Sequence, residues 1–162
     1  MTDTITVVMP IYEGLTQLDF TGPHQFLSRT PGVDVIVASI RGRDVHADGL
    51  TFGGLTILET VASCDVLLVP GGAGCVDAIE DDEYLGQVGR LARDAKYLTS
   101  ACSGSLILGA AGLLKGRRAA CHGAWRDLLP LFGAVADPAR IVRAGNILTG
   151  GGVTAGIASR SR

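Results

Sequence analysis

Three short strings hold the residues best suited to chemistry. The most informative is Ser100-Ala101-Cys102-Ser103-Gly104. Small residues flank a central cysteine, an apolar stretch enters from Tyr97, and a helical pattern leaves it. That is the cysteine form of a nucleophile elbow, with Ser100 in place of the first glycine. Unsatisfied N–H groups at the start of the following helix favour a thiolate, which predicts a thiol pKa lowered from about 8.5 toward roughly 3.5–7.5. A buried structural thiol is the alternative for Cys102.

The second string, Pro70-Gly71-Gly72-Ala73-Gly74, follows a run of apolar residues. A phosphate loop would need a Gly-Lys-Ser/Thr continuation that is missing, so an oxyanion-type donor beside Cys102 fits better, with a plain turn as the alternative. The third is Gln17-Leu18-Asp19-Phe20-Thr21-Gly22-Pro23. Asp19 is either a helix cap or a carboxyl that exchanges a proton beside Cys102, where a nearby thiolate would raise its pKa. Glu13 is the competing carboxyl and reads as solvated loop. His122 is a candidate partner for the thiol, whereas His24 and His46 read as ordinary helix and loop residues.

The elements that must position these strings read as a parallel sheet covered by helices. Strands are expected over 5–9, 33–40, 65–70 and 97–101. Helices are expected through Pro23 to Ser28 with Asp19 or Thr21 as cap, over 83–94, and over 103–114 with a stop at Lys115-Gly116. The stretch 41–56 reads as hairpin or loop, 119–121 as a short strand, 125–132 as a helical stripe, and 141–148 as a hairpin around Gly145-Asn146. The fold class is α/β, and the three strings fall at the carboxyl ends of strands, where open α/β sheets place their sites.

The totals agree. The 162 residues suit one domain, and 47% apolar with 19% charged residues describes a globular chain. A net charge of −2 gives no electrostatic reason to expect nucleic acid or an anionic membrane. The basic cluster Lys115, Arg117 and Arg118 reads as a solvated helix end. No targeting segment or transmembrane-length stretch is visible, so a cytoplasmic protein with free thiols is expected. Cys64, Cys75, Cys102 and Cys121 form no Cys-x-x-Cys pair, which disfavours structural zinc.

Together the strings resemble the ThiJ/PfpI superfamily, of class I glutamine amidotransferase-like fold. The residues that carry the resemblance are 17–24, 69–74, 99–114 and 148–157. Within it the pattern is most similar to the isocyanide hydratases. The resemblance implies a flavodoxin-like sandwich with a mostly parallel central sheet and helices on both faces. It also implies hydration of an isocyanide to an N-substituted formamide without metal or organic cofactor, and a homodimer. By position, Cys102 would be the nucleophile and Asp19 the proton donor, with Gly72, Ala73, Ser103 and His122 lining the pocket. Against the family pattern, Cys121-His122-Gly123 replaces a His-Trp pair preceded by threonine. After Ile157 the chain turns polar and looks shortened over 158–162. Rival readings are a ligand-sensing domain related to AraC-type regulators, a glyoxalase-like or redox-sensing member, and an inert relative.

Overall fold

The computed structural model describes residues 3–152. β1 (Ile5–Pro10) is followed by α1 (Leu18–Leu27) and β2 (Val33–Ser39). A small hairpin of β3 (Val45–Ala47) and β4 (Leu50–Phe52) precedes the short β5 (Thr56–Ile57). Then come β6 (Val66–Val69), α2 (Cys75–Ala78), α3 (Asp82–Asp94), β7 (Tyr97–Ala101) and α4 (Gly104–Ala110). The remaining strands are β8 (Arg118–Ala119), β9 (Val135–Ala136), β10 (Ile141–Ala144) and β11 (Ile147–Gly150). The main sheet has the order β10-β11-β7-β6-β1-β2-β5. All its pairings are parallel except β10 with β11. The α/β class and the mostly parallel sheet are as expected. No helix among the described residues is long and apolar enough to cross a membrane.

Strand order fixes where the helices lie. The β1-α1-β2 connection and the β6-α3-β7 connection step across the sheet in opposite directions. Right-handed crossovers therefore put α1 on one face and α3, with α4, on the other. Register shows the consequence. Val8, Leu67, Leu98 and Ile147 lie side by side on the α3/α4 face and are at most 5% exposed. On the α1 face Ile5 is 46% and Tyr97 43% exposed, with Val66 and Leu148 half-buried. α1 shields only part of that face, where Val7, Met9 and Leu68 are buried.

Several boundaries differ from expectation for local reasons. α1 begins two residues before Asp19 would have capped it: Gln17 is the N-cap, and Asp19 lies inside the first turn. Thr21 is no cap either; its hydroxyl donates to the Gln17 carbonyl. α4 ends at Ala110 rather than Leu114, because Gly112 adopts φ 80° and closes a Schellman turn. Leu113 N donates to the Leu108 carbonyl at 3.0 Å and Gly112 N to that of Gly109 at 2.9 Å. The basic cluster is therefore not a helix end. Arg118 opens β8 and pairs with Asp137 at 3.0 Å. Residues Arg126–Phe132 form a 3-10 segment in which only Leu129 is fully buried, since threefold winding spreads the expected apolar stripe around the axis. The stretch 41–56 holds a two-residue hairpin turn at Asp48-Gly49, both with positive φ.

Candidate active site

The elbow is built as its sequence predicts. Cys102 has φ 56° at the junction of β7 and α4. A non-glycine residue rarely adopts that conformation, and holding it costs on the order of 1–3 kcal/mol, supplied by the surroundings. Those surroundings are backbone. A Cβ on Gly71 would come within 2.5 Å of Ser103 N and 2.9 Å of Cys102 Cβ. One on Gly104 would collide with the Val69 carbonyl. The glycines after β6 therefore serve to let the elbow pack directly against the neighbouring loop.

Asp19 enters from α1. It is fully buried. Its Oδ2 accepts a hydrogen bond from Gly71 N at 3.0 Å, while Oδ1 is buried with no partner among the described residues. Burial raises the Asp19 pKa from 3.8 to about 6, against lowering by the Gly71 N–H and by His122; Asp48 adds to the rise. A carboxyl with an unspent oxygen and a pKa near neutrality is suited to passing a proton.

The thiol differs from the sequence expectation. Cys102 is only 8% exposed, and burial pushes its pKa from 9.0 up to about 11, with the negative charge of Asp19 contributing. The backbone N–H and the hydroxyl of Ser103 pull the other way and lose. α4 is just seven residues long. Desolvation and a like charge outweigh Ser103, so the resting residue is a thiol rather than a thiolate.

The other expected residues occupy distinct places. Ser103 joins the loops: its hydroxyl accepts from Gly72 N at 2.9 Å and donates to the Gly72 carbonyl at 3.2 Å. The N–H groups of Gly71 and Gly72 are thus both spent inside the protein. Gly72 is buried and Ala73 is exposed at the rim. His122 is exposed, and its N–H donates to the Cys102 carbonyl at 3.1 Å, so it sits beside the elbow. Its Nδ1 accepts from Ala124 N at 3.2 Å. Glu13 is instead engaged by His46, through N at 3.0 Å and Nδ1 at 2.9 Å. Cys75 and Cys121 are buried, with pKa values raised by burial.

Sequence reasoning missed the structural reach of Tyr12 and Asp48. Tyr12 is buried and its hydroxyl donates to the Pro70 carbonyl at 2.7 Å, tying the first loop to the glycine loop. Asp48 Oδ2 accepts from Gln17 N at 2.9 Å. The Asp48-Gly49 pair was the only local signal. A separate cleft of about 200 Å³ lies beside the site, lined by Tyr12, Glu13, Arg43, Asp77, Asp81 and Glu83 among others; neither Cys102 nor Asp19 lines it.

This elbow-and-carboxyl geometry can be compared with known proteins. Residues 5–159 match the DJ-1/PfpI family. The chain belongs to that family. It is 45% identical over 148 residues to an isonitrile hydratase of Pseudomonas putida; the match takes in 91% of this chain and 65% of the relative, so the chain spans just under two thirds of that protein's length. Among solved structures, a ThiJ/PfpI family protein from Pseudomonas syringae superposes with TM-score 0.92 at 40% identity, over 97% of this chain and 66% of the other. Drosophila melanogaster DJ-1beta superposes with TM-score 0.81 at 22% identity, over 96% and 86%, which is a likeness of fold. The recognition made from the strings at 17–24, 69–74 and 99–114 is thereby shown. The fourth string, 148–157, lies partly outside the described residues, and the polar tail at 158–162 lies wholly outside them.

Proposed function

We propose that this DJ-1/PfpI member is an isocyanide (isonitrile) hydratase, a cofactor-independent hydro-lyase with Cys102 as nucleophile and Asp19 as proton carrier. The observation that carries it is the pairing of an elbow thiol with a buried carboxyl that keeps one oxygen free. Similarity to the P. putida isonitrile hydratase supports the substrate class.

The charge states fit a proton relay. At neutral pH Asp19, with a pKa of about 6, is mostly ionised, while Cys102 carries its proton. Asp19 takes the thiol proton as sulfur attacks the terminal carbon of R–N≡C, and returns it to that carbon. The product is a thioimidate, R–N=CH–S–Cys102. Water adds to the carbon and the C–S bond breaks; one water proton goes to nitrogen and the other, through Asp19, back to sulfur. The sum is R–NC plus H2O giving R–NH–CHO. Ser103 meets the thiolate as it forms through its backbone N–H, while its hydroxyl proton stays with the Gly72 carbonyl. Gly72 and Ala73 form the opposite wall, and His122 the outer side. A homodimer is supported by the half-exposed apolar residues of the α1 face; mass in solution by light scattering tests it.

The test is formamide formation from a simple alkyl or aryl isocyanide, followed by absorbance, in the native protein and in Cys102→Ala. Turnover that disappears with the thiol supports the proposal. A folded protein that binds but never turns over an isocyanide overturns it in favour of a ligand-sensing role.

A further inference from the structure

The β3–β4 hairpin is not part of the three strings, yet it is fastened to the loop that carries Asp19 at four points. Gly14 N donates to the His46 carbonyl at 3.0 Å, and His46 N donates to Glu13 Oε1 at 3.0 Å. Phe52 packs edge-on against Phe20 at 4.9 Å between ring centroids. At the tip, Asp48 Oδ2 accepts from Gln17 N at 2.9 Å. Gln17 is the N-cap of α1, and its own side chain bonds Thr21 rather than an N-terminal amide. The helix start that holds Asp19 is therefore capped by a residue 31 positions away in sequence.

The turn is suited to that task. Asp48 has φ 52° and Gly49 φ 77°, a two-residue turn of the type that asparagine or aspartate with glycine adopts most readily. Asp48 is exposed, so its carboxylate is not needed for a core contact. Around Asp19, the titratable groups from each packed element are few. His122 comes from the loop after β8, Cys102 from the elbow, Tyr12 from the loop after β1, and Asp48 from the hairpin. Cys102 and Tyr12 are neutral near pH 7, since burial raises both. Asp48 and His122 act on the carboxyl with opposite sign, the first disfavouring and the second favouring its ionised form.

We propose that Asp48 is a positioning residue for Asp19, seating the first turn of α1 through Gln17 and presenting a second negative charge to the buried carboxyl. This assignment rests on the hydratase reading for its consequence in turnover, though not for the structural effect itself. Asn at 48 keeps the acceptor oxygen and the left-handed turn while removing the charge; Ala removes both.

The experiment follows the Asp19 carboxyl carbon by 13C NMR against pH in the resting protein, with Asp19→Asn to assign the signal. Asp48→Asn moves the Asp19 midpoint to lower pH and leaves the Gln17 amide protected from hydrogen exchange. Asp48→Ala moves the midpoint the same way and also exposes that amide to exchange. In turnover, the acid limb of kcat/KM shifts to lower pH in Asp48→Asn, following Asp19 ionisation. An unchanged midpoint in Asp48→Asn overturns the electrostatic half, and an unchanged Gln17 exchange rate in Asp48→Ala overturns the seating. If native protein and variants alike fail to hydrate any isocyanide, the hydratase reading falls while the NMR midpoints still decide the role of Asp48.

Discussion

The two faces of the sheet are covered differently, and the site draws one residue from each side. On the α3/α4 face the strand side chains are sealed: Val8 and Leu67 have no exposed surface. On the α1 face Val7, Met9 and Leu68 are buried, whereas Ile5, Val66, Tyr97 and Leu148 remain partly open. Cys102 leads into α4 on the sealed side, and Asp19 descends from α1 on the open one. They meet at the carboxyl edge through Gly71, whose N–H holds Asp19 and whose missing side chain admits Cys102. A site placed at this seam draws a rigidly held thiol from one layer and a buried carboxyl from the other.

The largest effect falls on the seam itself. Cys102→Ala removes the proposed nucleophile and is expected to lower isocyanide turnover by about 10^3-fold or more, measured as initial rates, while Cys64→Ala leaves it nearly unchanged. Equal rates in both variants sink the nucleophile assignment. Next, the two faces should differ in how they tolerate truncation. Leu67→Ala on the sealed face should cost about 2–5 kcal/mol in denaturant unfolding, and its neighbour Val66→Ala on the open face about 1 kcal/mol. Similar costs would mean the open face is covered in solution.

Asp19 gives a third test with a definite sign. Its folded pKa of about 6 lies above its ordinary 3.8. The protonated form is thus favoured by folding. The associated stability is full below the ordinary value and is lost as pH rises through about 6. Asp19→Asn should therefore raise stability at pH 8 relative to the native chain by on the order of 1–3 kcal/mol, with the gain shrinking below pH 4, and should abolish proton transfer. Thermal unfolding at pH 4 and pH 8 checks it; a gain of equal size at both pH values would remove the ionisation argument. Smallest of all, Tyr97→Ser on the open face should change stability by less than about 0.5 kcal/mol if that side chain faces solvent. A larger loss, or a change in mass by light scattering, would show that Tyr97 is buried against another molecule.

Much of this was legible in the chain. The run 65–70 announced a strand buried on both faces, and Tyr97–Ala101 and α3 lie where periodicity put them, because hydrophobic pattern and secondary-structure period agree there. The elbow was legible because a left-handed residue needs small neighbours on both sides. Less legible were the ends of α1 and α4. Gln17 starts α1 because a distant carboxylate caps it, and Gly112, not Gly116, stops α4 because the Schellman bonds close there. The Arg126–Phe132 segment reads as an amphipathic helix by composition, yet Pro130 and tertiary packing wind it as 3-10.

By itself, then, the sequence determined the α/β class, the cysteine turn, the candidate carboxyl and the family, since these rest on local patterns of size, polarity and spacing. Only the tertiary structure decided the protonation of the site and the use of the glycine amides. Helix position alone predicted a lowered thiol pKa, but a pKa is set by everything within a few ångströms. Here burial and Asp19, brought from 83 residues away in the chain, outweigh the Ser103 amide at the head of the helix.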